Sequence, residues 1–173
     1  MSYFVPIILG TGRKGARSIR VAEFVFDEAK NYGFEVELIR PRDWLDFPFT
    51  DEMEEEKRNK LSEIFKKSNG FIIVSPEYNH GYPGELKLLL DNFYEEFNHK
   101  PVGICGVSKS KLGGARMIEQ LRLLLIEFSM INLRNAVYFS NVDNFENEKE
   151  GYKNFLKILF DELKFYCDKF SRD

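Results

Sequence analysis

The run FIIVSPEYNHGYPG, residues 71–84, decides the fold. Phe71 to Ser75 is apolar almost throughout, as a strand must be when helices cover both faces of a parallel sheet. The run then breaks into a loop holding Pro76, Gly81, Pro83 and Gly84, residues that stiffen or turn a backbone. Directly after it, Leu86, Leu89, Leu90, Phe93, Tyr94 and Phe97 recur at i, i+3, i+4, i+7, i+8 and i+11, which predicts an amphipathic helix over 85–97.

The same strand, loop and helix unit repeats in both directions. Upstream, Phe4 to Leu9 reads as a strand. The glycine-rich loop Gly10 to Arg17 follows, then a helix with Ala22, Val25, Phe26 and Ala29 on one face and Gly33 as its stop. Phe34 to Ile39 is a second strand. Asp51 to Lys67 is a helix whose acids crowd the first turn, where the dipole favours them and solvent covers them. Downstream come a strand at Val102 to Val107, a helix at Gly114 to Phe128, a strand at Ile131 to Phe139 and a helix at Glu148 to Phe170. Five strands alternating with five helices predict a single three-layer α/β domain over residues 1–173, with right-handed crossovers.

Composition removes several function classes. The net charge of −3 leaves no basic surplus for nucleic acid. No apolar stretch approaches the length of a membrane span. The start of the chain has no basic leader, and its two cysteines, Cys105 and Cys167, share no close-spaced motif, so a reducing, cytoplasmic setting is expected. His80 and His99 lack neighbouring cysteines or paired acids, and no metal site is expected. Leu123 and Ile126 fall off the buried face of the helix at 114–128, which points to a partner subunit.

In open parallel sheets ligands sit beyond the carboxyl ends of the strands. The loop after the first strand combines three glycines with Thr11, Arg13, Lys14, Arg17 and Ser18 at the start of a helix, a set suited to a phosphate. It also matches the dinucleotide pattern G-x-G-x-x-G, with Arg40 placed to read an NADP 2′-phosphate. A dehydrogenase of that kind needs a sixth strand and a catalytic domain, which 173 residues do not provide. The loop after the third strand, Pro76-Glu77-Tyr78-Asn79 with His80, suits a planar heterocycle that takes hydrogen bonds along one edge. The loop after the fourth strand brings Ser108, Lys109, Ser110, Lys111, Gly113 and Gly114, hydroxyls and cations with a backbone able to approach a ligand closely.

Together these loops resemble the NADPH-dependent FMN reductase family, the flavodoxin-like group that includes quinone, azo-dye and chromate reductases. The likeness rests on Gly10-Thr11-Gly12-Arg13 with Arg17-Ser18, on Pro76-Glu77-Tyr78-Asn79, and on Ser108 with Gly113-Gly114. Leu86-Lys87, Asp91, Lys100-Pro101, Gln120-Leu121-Arg122 and Arg42-Asp43-Trp44 extend it over about residues 5–140. Thr11 stands where the family often has serine, and Ser110 where it usually has glycine.

The resemblance implies a flavodoxin-like sheet of order 2-1-3-4-5 that binds FMN. Thr11, Arg13, Arg17 and Ser18 would take the phosphate, Pro76 to Asn79 the edge of the isoalloxazine, and Ser108, Lys109, Gly113 and Gly114 its far edge. It further implies ping-pong transfer of hydride from NADPH or NADH through the flavin to a small acceptor, with no catalytic side chain, in a homodimer or homotetramer. Trp44 and Tyr82 would line the open flavin face or the subunit seam. Two rival classes are a flavodoxin-type electron carrier and a flavin-binding regulatory protein. The cations of the first loop and the low net charge count against the carrier, which normally has an acidic surface for its partners.

Overall fold

The computed structural model describes residues 2–46 and 53–170. Its strands are β1 (Ile7–Leu9), β2 (Leu38–Ile39), β3 (Phe71–Pro76), β4 (Pro101–Val107) and β5 (Ile131–Phe139). All pairings are parallel and the order is β2-β1-β3-β4-β5, the flavodoxin-like order the resemblance implied. The helices are α1 (Ser18–Tyr32), α2 (Pro41–Trp44), α3 (Glu55–Lys67), α4 (Gly84–Leu90), α5 (Ala115–Glu127), α6 (Phe145–Glu148) and α7 (Lys153–Phe170).

Alternation along the strands divides the core into two layers. Ile7, Leu9, Val74, Cys105 and Val107 face one way, toward α1 and α7. Ile8, Ile73, Val102 and Ile104 face the other way, toward α3, α4 and α5. The strand ends also come close together. A Cβ on Gly10 would lie 2.3 Å from Ser75 Oγ, so only glycine lets the end of β1 pass β3.

Several boundaries differ from those expected. Leu86, Leu89, Leu90, Phe93 and Phe97 are buried as predicted, whereas Tyr94 is exposed, and α4 stops at Leu90 so that a 3-10 turn at Glu95–Phe97 carries the last contact. Asn92 Nδ2 donates to the Leu88 carbonyl at 2.7 Å, a side-chain bond that competes with helix continuation. The C-terminal helix expected from Glu148 is broken into α6, a 3-10 turn and α7 around Gly151. β1 and β2 are shorter than expected, although Phe4 still pairs with Glu35 as an isolated bridge. Asp51 and Glu52, placed at a helix start in the sequence reading, lie outside the described residues; Glu54, Glu55 and Glu56 are exposed as expected. Among the described residues no helix is long and apolar enough to cross a membrane.

Candidate functional site

The first loop closes directly into α1. The Ala16 N–H donates to the Arg13 carbonyl at 3.3 Å and the Ile19 N–H to the Ala16 carbonyl at 3.1 Å. Thr11 is fully buried, and its Oγ1 accepts the Arg13 N–H at 3.2 Å, so this hydroxyl shapes the loop from beneath. The first turn of α1 holds no acid and its N-terminus has no side-chain cap. Ser18, 1% exposed, points an Oγ there that has no partner among the described residues. A buried hydroxyl without a partner among the described residues, at a positive helix end with neither a cap nor an acid in its first turn, calls for an anionic acceptor.

The second loop is a tight turn. Tyr78 and Gly81 exchange both backbone hydrogen bonds, at 2.9 and 3.0 Å, around Asn79 and His80. Both of these residues have positive φ, 50° and 70°, the form of a type I′ turn. Asparagine tolerates that conformation; histidine does so at a cost of about 1 kcal/mol. The Glu77 N–H donates to the Val107 carbonyl at 2.9 Å, extending the ladder beyond β3. Its carboxylate, 7% exposed, accepts the Met117 N–H at 3.3 Å and pairs with Arg116 Nη1 at 3.6 Å. The Glu77 side chain thus ties this loop to the N-terminus of α5, where a negative charge is favoured.

The third loop is pinned to the end of β5. The Ser108 N–H donates to the Phe139 carbonyl at 3.0 Å, and the Val142 N–H to the Ser108 carbonyl at 3.1 Å. Behind it, Gly113 and Gly114 have φ of 58° and 86°. A Cβ on Gly113 would lie 2.6 Å from the Tyr138 carbonyl carbon. The glycine pair therefore seats the loop against β4 and β5.

The three loops enclose a cavity of about 670 Å³, within the range of small-molecule and cofactor sites. Of the residues named from sequence, Arg13, Arg17, Ser18, Pro76, Glu77, Tyr78, Ser108 and Lys109 line it. Thr11 lies under the first loop, Asn79 in the turn beyond Tyr78, and Gly113 and Gly114 behind the third loop; none of these four lines the cavity. Trp44 and Tyr82 are half-buried against the α3–α5 layer, away from the cavity wall, and His80 is exposed. Lys14 and Ser110, noted in the loops but not chosen as binding residues, do line it.

A fourth wall was missed. Val142, in the short 3-10 segment after β5, lines the cavity, and its neighbour Asp143 reaches the rim. Asp143 Oδ1 lies 2.7 Å from Arg17 Nε, and Oδ2 lies 3.7 Å from Lys109 Nζ. The only available signal was position: this segment also follows the carboxyl end of a strand. Arg13 leans the other way, over the Tyr78 ring at 6.0 Å.

The site therefore joins an electropositive end, built from Arg13, Lys14, Arg17 and the α1 N-terminus, to a wall of Pro76, Tyr78 and Val107. That arrangement suits a ligand with an anionic tail and a flat body. Among the described residues no group of three or more His, Cys, Asp or Glu side chains is placed to hold a metal ion.

Comparison with known proteins bears on this geometry. The sequence profile described as NADPH-dependent FMN reductase matches residues 5–144. An NAD(P)H-dependent FMN reductase of Schizosaccharomyces pombe is 30% identical over 128 residues, covering 68% of this chain and 63% of that protein. An FMN-dependent NADPH-azoreductase of Staphylococcus saprophyticus is 28% identical over 125 residues, covering 65% of this chain and 66% of its own length. The match thus spans just under two thirds of each relative. In three dimensions the chain is similar to FerB, a flavoenzyme NAD(P)H:(acceptor) oxidoreductase from Paracoccus denitrificans. The TM-score is 0.74 at 18% identity, over 95% of this chain and 98% of that one, a likeness of fold. With most of its length inside the matched region, the chain belongs to the NADPH-dependent FMN reductase family.

Proposed function

We propose that this chain is an FMN-dependent NAD(P)H oxidoreductase whose single flavodoxin-like domain holds the flavin in the 670 Å³ cavity. The observation that carries the reading is the buried Ser18 hydroxyl, unpartnered among the described residues, at an uncapped helix N-terminus beside Arg13 and Arg17. Those groups fit a phosphate, and the adjoining apolar wall fits a flat ring.

Arg13, Arg17 and Ser18 would hold the phosphate on a loop that Thr11 shapes from below. Pro76, Glu77, Tyr78 and Asn79 would run along the isoalloxazine edge, with the Glu77 side chain anchoring the loop to α5. Ser108 and Lys109 would face the far edge, seated by Gly113 and Gly114. FMN, when bound, supplies the hydride chemistry linking NADPH or NADH to a small acceptor such as a quinone, an azo compound, free flavin or a metal oxyanion. The chain's own part would be to bind, to orient and to leave one ring face open; Lys109, which lines the cavity, would set a positive charge near a ring that gains a negative one on reduction. No side chain is assigned a catalytic role.

Leu123 and Ile126 on α5, 72% and 62% exposed, support assembly as a homodimer or homotetramer. Two free, buried cysteines fit a cytoplasmic setting. The test is direct. Purified protein should bind FMN in roughly a 1:1 ratio to chain, lose the flavin absorbance on anaerobic addition of NADPH and regain it with a quinone. Protein that cannot be loaded with FMN would overturn the reading.

A further inference from the structure

The cations around the cavity fall into two kinds. Arg13 and Lys14 have no carboxylate partner among the described residues, whereas Arg17 and Lys109 share one, Asp143. That carboxylate is held in place by its backbone. Val142 is buried and lines the cavity, its N–H donates to the Ser108 carbonyl at 3.1 Å, and its carbonyl accepts Arg20 Nη2 at 3.2 Å. The Asn144 N–H closes the segment onto the Asn141 carbonyl at 2.8 Å. A fixed negative charge therefore stands on the cation that the α1 N-terminus offers to an incoming anion.

We propose that Asp143 is a built-in competitor for the anionic tail of the ligand, so that the ligand is held exchangeably. This rests on the FMN reading of the cavity. A phosphate that engages Arg17 must displace Asp143 or sit beside it against like-charge repulsion. Arg17 and Asp143 are each about half exposed, and an ion pair so wetted is weak enough to be displaced. Arg13, Lys14 and Ser18 give the phosphate its first hold, and Asp143 returns to Arg17 when the ligand leaves. A reductase that releases flavin, or uses it as a substrate, needs such reversible binding.

The experiment compares wild type with the isosteric Asp143→Asn by titrating FMN, riboflavin and inorganic phosphate. At low ionic strength the variant should bind FMN roughly two- to fivefold more tightly, with the gap closing as salt rises. Riboflavin, which lacks the phosphate, should bind both proteins equally. Inorganic phosphate alone should raise the thermal midpoint of the variant more than that of wild type. FMN affinity that is unchanged, weakened, or raised equally for riboflavin overturns the proposal, as does an equal phosphate shift. A loss of fold would appear as a weaker variant, whereas the proposal requires a gain. If neither protein binds FMN, the flavin reading falls, and the phosphate arm alone still decides whether Asp143 competes for anions.

Discussion

The two ends of the sheet carry similar charges and treat them differently. At the amino end, Lys100 Nζ donates to the Phe65 and Lys66 carbonyls at 2.5 and 3.0 Å, and its ammonium lies over the Phe71 ring. A cation there meets the negative end of α3, and its acceptors all come from the chain itself. At the carboxyl end, Arg13, Lys14 and Arg17 meet the positive end of α1, with the Ser18 hydroxyl, unpartnered among the described residues, between them. Like meets like, and only an outside anion, or partly Asp143, resolves it. Charges that satisfy one another build structure; charges left in agreement of sign mark a place to bind.

Three measurements would break or sharpen this contrast. The largest effect is expected at Gly113→Ala. The new Cβ strikes the Tyr138 backbone at a residue with φ of 58°, which should cost about 3 kcal/mol of stability. It should also weaken FMN binding, because the third loop loses its seat; a denaturant titration paired with flavin binding checks both. Arg13→Ala should leave stability unchanged and weaken FMN binding by about 1.5 kcal/mol, roughly tenfold, by removing a charge-assisted contact. Equal affinity would move the phosphate elsewhere.

At pH 7 the smallest effect belongs to the amino end. Burial pushes the Lys100 ammonium from its ordinary value near 10.5 down to about 8. Between those values the unfolded chain holds a proton that the folded chain has released, so stability rises with pH over that window. Lys100→Met should change stability by less than about 1 kcal/mol at pH 7, abolish that rise, and leave FMN affinity untouched. Thermal midpoints across pH 7 to 10.5, read with a flavin titration, test the claim; altered affinity would erase the distinction between the two ends.

Much of this could be read along the chain. Unbroken apolar runs such as FIIVS and GICGV located the central strands, because a strand covered on both faces has no polar side. The edges were harder. β2 has only two ladder residues, and α4 ends where Asn92 turns its amide on the Leu88 carbonyl while the apolar stripe continues to Phe97. Periodicity reports which side chains are buried, and a 3-10 turn can bury the same stripe as a helix. Gly113 and Gly114 were read as room for a ligand, whereas the space they keep open is filled by β4 and β5. Glu77 was read as a flavin contact, and its carboxylate faces α5. Sequence shows that a close approach is needed without showing to what.

By itself, the sequence determined the layers, the strand alternation and the three loops whose residue types suit a phosphate and a flat ring, because period and composition are local properties. Tertiary structure alone decided which loop residues face inward and which serve as struts. It also joined Asp143 to Arg17, residues separated by most of the chain and brought to 2.7 Å by the parallel crossovers. Local rules act over a few residues, whereas the partner of a charge is chosen by where the sheet lays down its ends.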